Sequence, residues 1–509
     1  MSDNLTRRRL LGLAGASAAG ATGLVVSGCS GGTGSPPKAR PGRSTAVGPP
    51  FVSRPDLTPP SVTITRHALG ADSRYTFLNA PYSGPGHGGT IILDRQGEYV
   101  WFGPNTAAHH RMNFCVQNYR GQPMLTWYQG LVTGGFGRGQ LIIADSSYKI
   151  QHVIRPARGE LADFHEFVVT SQDTALITIY RQHSGVDLRP VGGPSRGYIV
   201  SGVVQEIDIA TGRVLLEWDS WDRQHPPIHV SESYQKLGVG DGGDGTADSP
   251  YNYCHLNSIA VDQDGDLLIS ARNTCAVYKV GRKTGKIVWR LNGKRSDFTM
   301  GPGSAFWWQH HVRPHSGGRL SIFDNAANGP AVNEKQSRAI IVRLDAHTRR
   351  ATLEKAYIHP GQRMLAGAMG SMQLLEEGRV FVGWGTEPHY SEFSADGRLL
   401  FDATIEQGDS SYRAFSQNWT GHPTELPAAA ARHRSGGAVV YASWNGATQV
   451  TSWRVYAGKT RTSLTEVTSV PRAGFETAIA VEHPGPYFAV QPHDAARRAL
   501  SRSAPVRMA

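Results

Sequence analysis

The feature that most constrains this chain is a repeated hairpin. From about residue 60 onward, an apolar strand ends in Asp or a similar polar residue, turns tightly, and returns as a strand carrying an aromatic residue. Ile91-Ile92-Leu93-Asp94 turns into Gly97-Glu98-Tyr99-Val100-Trp101. Ile207-Asp208-Ile209-Ala210-Thr211-Gly212 leads to Trp218, and Tyr278-Lys279-Val280 passes through Thr284-Gly285-Lys286 to Trp289. Weaker copies lie at Ile142 to Ile154, Ile340 to Tyr357 and Tyr390 to Phe401. Each copy has period-2 alternation around a turn, so each reads as two antiparallel strands. A chain of 509 residues with 59 glycines and 30 prolines is too long for one core and too punctuated for long helices. Six copies between residues 56 and 426 suit an all-β fold, a six-bladed β-propeller, in which radial repetition protects sheet edges. Two stacked sandwiches are the alternative, and the regular blade-sized spacing argues against them.

The pattern changes after residue 426. Val439 to Trp444, Val450 to Tyr456, Phe475 to Val481 and Tyr487 to Val490 read as short strands of a small fibronectin- or immunoglobulin-like sandwich over 427–509. At the other end, Thr6-Arg7-Arg8-Arg9-Leu10-Leu11 precedes a small apolar stretch from Gly12 to Val26. A basic segment followed by a short apolar one reads as a signal peptide, and the arginine pair is similar to a twin-arginine export signal. Val26-Ser27-Gly28-Cys29 resembles a lipobox. Residues 1–28 are therefore expected to be removed, with Cys29 the lipid-bearing N-terminus of an exported, membrane-anchored protein. Residues 29–55 read as a flexible tether, and nothing beyond it is apolar enough to cross a bilayer.

The net charge is +11. Nucleic acid is an unsuitable partner for an exported chain, which leaves an anionic ligand or a scattered solvated surface. Three cysteines remain beside Cys29, so one thiol at least stays unpaired. A two-residue turn at Asp264-Gly265 would set Cys254 opposite Cys275, where they could form a disulfide, and Asn257 opposite Arg272. No cysteine has metal-binding spacing, so no metal is expected.

A second repeat precedes several of the hairpins. Phe164-His165-Glu166-Phe167 leads into Ala175 to Thr178, and Cys254-His255-Leu256-Asn257 into Asp266 to Ile269. Gln309-His310-His311 leads into Arg319 to Ile322, and Gly370-Ser371-Met372-Gln373 into Arg379 to Val382. The histidines precede their second strands by 10, 11 and 9 residues, nearly equivalent places in successive blades. Inner strands of a propeller face one channel, so the spacing predicts a histidine cluster there. Arg272 would join it and needs an anion. That anion is either a tetrahedral oxyanion ligand or an internal carboxylate, the nearest in sequence being Asp163, Glu166 and Asp324.

The segments around His165, His255-Leu256-Asn257-Ser258, Ser270-Ala271-Arg272-Asn273, Gly285 to Trp289 and Gln309-His310 resemble those of bacterial arylsulfate sulfotransferases. So do Phe323-Asp324-Asn325 and Ser443-Trp444-Asn445-Gly446-Ala447-Thr448. The likeness follows the branch of that family with a C-terminal sandwich. It implies transfer of a sulfuryl group from a phenolic sulfate ester to another phenol, with no nucleotide donor and no cofactor. It implies a sulfated histidine at His310, with His165 and His255 exchanging protons, Arg272 and Asn257 holding the sulfate, and Ser371 occupying the corresponding inner-strand place one blade later. Trp307 and Trp308 would stack on an aryl ring or pack the blade. His311 departs from the pattern, since neighbours on a strand face opposite ways and only one can reach the channel. The competing readings are a non-catalytic propeller binding an anionic ligand or cell-wall polymer, and a hydrolase using water as acceptor. A quinone-dependent propeller is disfavoured, because no haem or cofactor motif is present.

Overall fold

The computed structural model describes residues 44–45, 51–70, 72–81, 87–329, 331–406, 408–483 and 485–509. The export signal and Cys29 lie outside them. Among the described residues the only helices are four single 3₁₀ turns, and no helix is long and apolar enough to cross a membrane.

Six blades form the propeller, each built on four antiparallel strands, and three of the sheets carry added edge strands. Blade two runs from the inner strand His110–Tyr119 through Gln122–Thr133 and Phe136–Ala144 to Ile150–Ile154. Blade three comprises Phe167–Val169, Thr174–Val186, Gly197–Asp208 and Val214–Asp219. Blade four comprises Leu256–Val261, Leu267–Ala271, Ala276–Val280 and Ile287–Leu291. Blade five comprises His310–His315, Arg319–Asp324, Arg338–Asp345 and Arg350–Tyr357, and blade six Ser371–Leu374, Val380–Gly383, His389–Phe393 and Leu399–Ile405. All six hairpins read from sequence are the outer two strands of a blade. In several of them the turn forms because the Asp at the strand end captures the next backbone amides. Asp94 Oδ1 accepts from Gln96 and Glu98, Asp145 Oδ1 from Ser147, and Asp208 Oδ1 from Thr211, each at 2.8–2.9 Å.

Blade one closes the ring. Its outer strands, Tyr75–Ala80, Gly89–Leu93 and Tyr99–Pro104, come from the start of the propeller, and its inner strand, Phe415–Gln417, comes from the end. A second clasp adds Val62–His67 to the outside of blade six. Apolar side chains fill the spaces between neighbouring sheets. Leu176, Val204 and Trp218 of blade three, for example, share a core with Ile259, Ile269 and Tyr278 of blade four.

The segment just before the closing strand threads the axis. Arg413 is fully buried and donates to both Glu166 oxygens, at 2.7 and 3.1 Å. It also donates to the carbonyls of His165 (3.0 Å) and Asn257 (2.9 Å), while the Tyr412 hydroxyl donates to the same His165 carbonyl at 2.9 Å. One arginine thus ties the ring closure to blades three and four. Burial pushes the Glu166 carboxyl up, but the Arg313 and Arg413 guanidinium groups outweigh it and hold the acid below its usual range.

The C-terminal sheets are Ala428–Arg434, Gly437–Ser443 and Glu476–Val481 on one side, and Ser463–Pro471, Ser452–Thr460, Tyr487–His493 and Val506–Arg507 on the other. Trp453, Val455, Val440, Ile479 and Phe488 fill the space between them. The motif at Asn445-Gly446 joins the sandwich to the propeller. Asn445 Oδ1 accepts from the Phe102 amide (2.9 Å), its Nδ2 donates to the Phe102 carbonyl (3.0 Å), and the Gly446 carbonyl accepts the Tyr148 hydroxyl (2.7 Å). The tether expected to reach residue 55 is docked by residue 51. Phe51 lies 4.3 Å from Phe475 between ring centroids, and the Val52 amide donates to Glu476 Oε1 at 3.0 Å.

Glu166→Gln leaves the fully buried Arg413 and the half-buried Arg313 short of a counter-charge, so we expect it to lower the unfolding free energy by about 3–5 kcal/mol in denaturant titration. Unchanged stability would show that the closure does not depend on this carboxylate.

Candidate active site

His165, His255 and His310 come together at the axis, buried to within a few per cent of full exclusion from solvent. His165 and His255 face each other through their Nε2 atoms at 3.1 Å. His165 Nδ1 lies 2.5 Å from Asp163 Oδ1, so this nitrogen carries a proton and donates it to the carboxylate. His165 Nε2 is then an acceptor, and the proton between the rings belongs to His255 Nε2. His255 Nδ1 is left to accept from the Asn252 amide at 2.8 Å. The pair holds one shared proton in a chain of fixed direction.

His310 is oriented by Asn325. The Asn325 Nδ2 donates to the carbonyls of Ala366 (3.0 Å) and Met369 (2.9 Å), so its oxygen must face His310. His310 Nδ1–H donates to that oxygen at 2.7 Å. The lone pair therefore sits on Nε2, which accepts the Met369 backbone N–H at 3.2 Å. Asp324 holds the turn that presents Asn325 by accepting the amides of Trp307 (2.8 Å) and Ala326 (3.1 Å), and burial pushes its carboxyl up to about 6 against the pull of Arg338. Burial, and then the charge of Arg272, lowers the His310 pKa well below the usual histidine value. Burial, the His165 ring and Arg272 do the same to His255. Both are neutral at physiological pH.

Arg272 stands beside this ring, and the anion-or-carboxylate question resolves differently from the sequence expectation. Asp163, Glu166 and Asp324 are engaged by His165, Arg413 and Arg338. The carboxylate near Arg272 is Asp241, at 3.3 Å. The guanidinium also donates to Asn273 Oδ1 (3.0 Å), Asn328 Oδ1 (2.6 Å) and the Gly367 carbonyl (3.0 Å), and its buried Nε has no partner. Trp308 packs 5.6 Å from it, while its indole N–H donates to Asn333; Trp307 meets Tyr234 edge-on. Asn328 and the segment 364–370 thus lie against Arg272, and Met369 of that segment also reaches His310. Phe136 and Tyr180, 4.6 Å apart, form an aromatic wall beside His255.

The expected register in blade four is corrected. The turn is longer than two residues, with Val261 paired to Leu267 around Asp262 to Asp266 and Gly265 at φ 87°, and a bulge lies between Leu256 and Ser258. His255, not Asn257, lies opposite Arg272, whose amide donates to the His255 carbonyl at 2.9 Å. Asn257 donates to the Gln309 carbonyl (2.6 Å), and its buried oxygen is unpartnered. Cys254 and Cys275 are likewise out of register. Both are free and buried, Cys254 against the Ser220 hydroxyl and Cys275 against the Trp308 amide. Ser371 spends its hydroxyl on the Ala414 carbonyl and amide, both at 3.0 Å, so it supports the closure. The alternation argument for His311 fails locally, because His311 has φ 51° within a bulge. It is buried beside His310 yet directed at the Met372 backbone (3.0 Å) and Phe415. Asn325, Met369, Tyr412 and Arg413 carried no assigned role in the sequence reading; for Asn325 the signal was its place at the end of the strand paired with His310.

A six-bladed propeller thus brings neutral imidazoles and a buried arginine together at its axis. The profile of the arylsulfotransferase (ASST) family matches residues 115–406. The chain belongs to that family. No curated protein matches it. Similar solved structures include a protein of unknown function from Bacteroides caccae, 10% identical with TM-score 0.41, covering 68% of this chain and 100% of that one. A virginiamycin B lyase from Staphylococcus aureus is 10% identical with TM-score 0.30, covering 70% and 84%. A Lactobacillus plantarum protein is 14% identical with TM-score 0.36, covering 79% and 98%. At that distance they say nothing of activity.

The neutral histidines have a consequence for stability. His255, His310 and His311 all have folded pKa values well below the usual one, with burial the first cause. Their contribution is present above the unfolded value of about 6.5 and is lost as pH falls below it, because the unfolded chain takes protons the folded one refuses. We expect the protein to be about 4 kcal/mol less stable at pH 5.5 than at pH 7.5, at about 1.4 kcal/mol for each of the three histidines. A flat profile in denaturant titrations at the two pH values would show that they titrate normally.

Proposed function

We propose that this enzyme transfers a sulfuryl group from a phenolic sulfate ester to another phenol through a covalent intermediate on His310. The observation that carries this reading is the tautomer of His310. Asn325 keeps the proton on Nδ1 and leaves the Nε2 lone pair for attack. In the first half-reaction Nε2 bonds to sulfur and the S–O bond to the donor breaks, with the electron pair leaving on the phenolic oxygen. The ring then carries its Nδ1 proton as a cation, and the Asn325 oxygen stabilises it.

The N–H that His255 directs at His165 can turn to hydrogen-bond the departing phenolate, which leaves as the anion. The neutral pair can take the proton of the incoming phenol to make it a phenolate, passing that proton on to solvent. In the second half-reaction that phenolate attacks sulfur and the S–N bond breaks, returning His310 to its starting state. Arg272 offers the fixed cation for the nonbridging oxygens, exchanging the Asn328 and Gly367 oxygens for those of the sulfate. The Met369 N–H must likewise leave Nε2, so substrate entry requires segment 364–370 to move. Phe136 and Tyr180 supply an aromatic face for the aryl group. The N-terminal sequence supports an exported enzyme anchored through Cys29.

His310→Ala should abolish phenol release from an aryl sulfate while the protein stays folded; full activity in this variant would overturn the reading. Arg272→Ala should lower the rate by about 10²–10³-fold. Release in the wild type should accelerate with added phenol, whereas a rate indifferent to acceptor would identify a hydrolase.

A further inference from the structure

Away from the axis, blade six holds a second cluster of polar side chains that the transfer reaction does not use. His359 leads out of blade five, while His389 and Asp402 lie on neighbouring strands of blade six, His389 opposite Thr404 and Asp402 opposite Ser391. Their donor atoms lie within 4.8 Å of one another. We propose that His359 Nε2, His389 Nδ1 and Asp402 Oδ1 bind a divalent cation of the zinc type.

Three observations carry this. The first is distance. Asp402 Oδ1 is 3.4 Å from His359 Nε2 and 3.5 Å from His389 Nδ1. Charge-assisted hydrogen bonds between imidazolium and carboxylate would draw in to about 2.7–2.9 Å. Ligands on arms of 2.0–2.1 Å at the tetrahedral angle stand about 3.3–3.4 Å apart, close to the spacing of Asp402 Oδ1 from each of the two rings. The second is charge. Asp402 is buried, yet among the described residues no lysine or arginine pairs with it. The third is an orphan. His359 Nε2 is buried within the cluster and has no hydrogen-bond partner.

The surroundings suit the role. Asp402 is oriented by the Ser391 hydroxyl at 2.7 Å and by the Thr65 hydroxyl, which reaches it from the added outer strand. Gln362 Nε2 lies 2.6 Å from His389 Nε2; with Nδ1 a ligand the ring carries its proton on Nε2, so the Gln362 amide must turn its oxygen to that position to accept it. Coordination through His359 Nε2 moves that ring's proton to Nδ1. The Nδ1 contacts with the amides of Gly361 and Gln362, both a long 3.3 Å, must then give way. Two imidazoles and one carboxylate leave a fourth position for water, and this mixed N/O set favours zinc over calcium or magnesium. The cysteine spacing could not reveal such a site. An ion here would fasten the start of the segment whose far end, at Met369, touches His310.

Zinc titration of the full chain after chelator dialysis, read by calorimetry and by thermal melting, tests the site. One ion per chain is expected in the wild type and in His310→Ala, with a higher melting temperature. His389→Ala should lose that ion, and Gln362→Ala should bind about tenfold more weakly. His389 is not central to the core, so a folded His389→Ala protein is the decisive variant; Asp402→Asn provides the second. No bound zinc, or undiminished binding in His389→Ala, would overturn the proposal. Loss of the ion in His310→Ala with retention in His389→Ala would assign binding to the axial histidines instead. Because zinc binding and phenol release are read separately, failure of one leaves the other intact.

Discussion

The carboxylate of Glu166 sits between Arg413 and Arg313, and the shape of the axis follows from it. Glu166 belongs to the strand entry of blade three, Arg313 to blade five, and Arg413 to the segment that closes blade one. Arg413 also holds the backbone carbonyls next to His165 and at Asn257. A propeller whose ends were not joined would leave its inner strands free to part, and the three histidines come from three different blades. The buried ion pair is costly to desolvate and strongly destabilising to break, which makes it a specifying contact more than a stabilising one.

The same burial sets the chemistry. With water excluded, His255 and His310 are neutral and Arg272 stands beside them as a fixed positive charge. In the proposed transfer a neutral His310 serves as nucleophile, a neutral His255 hydrogen-bonds the leaving oxygen, and a fixed guanidinium favours an anion bearing developing charge. These are three different demands, met by burial together with particular partners: Asn325 for one ring, Asp163 and Asn252 for the other two. The hydrogen bonds of Met369 and Gly367 occupy the nucleophile and the anion seat, so binding and opening are coupled at the same atoms.

The blades were legible because each outer hairpin is a local object, with its apolar alternation and its Asp-led turn in one short stretch. The histidine cluster was legible for a related reason, since a repeated hairpin brings repeated positions to one axis. Local register was not. A turn longer than two residues at Asp262 to Asp266 and a bulge at Asn257 shifted the pairing enough to separate Cys254 from Cys275 and to place His255, instead of Asn257, against Arg272. Bulges of this kind also give His311 its positive φ, which no alternation rule anticipates. The roles of Asn325, Tyr412 and Arg413 were hidden because they act across loops or across the whole ring; Arg413 and Glu166 are 247 residues apart.

The central claim is that sulfur bonds to His310 Nε2 between donor and acceptor. Intact-protein and peptide mass spectrometry after mixing the enzyme with an aryl sulfate, without acceptor, tests it most directly. The account predicts one sulfuryl adduct per chain, localised to the peptide containing His310 and discharged when phenol is added. Phenol release with no adduct, or an adduct on another residue, would contradict it.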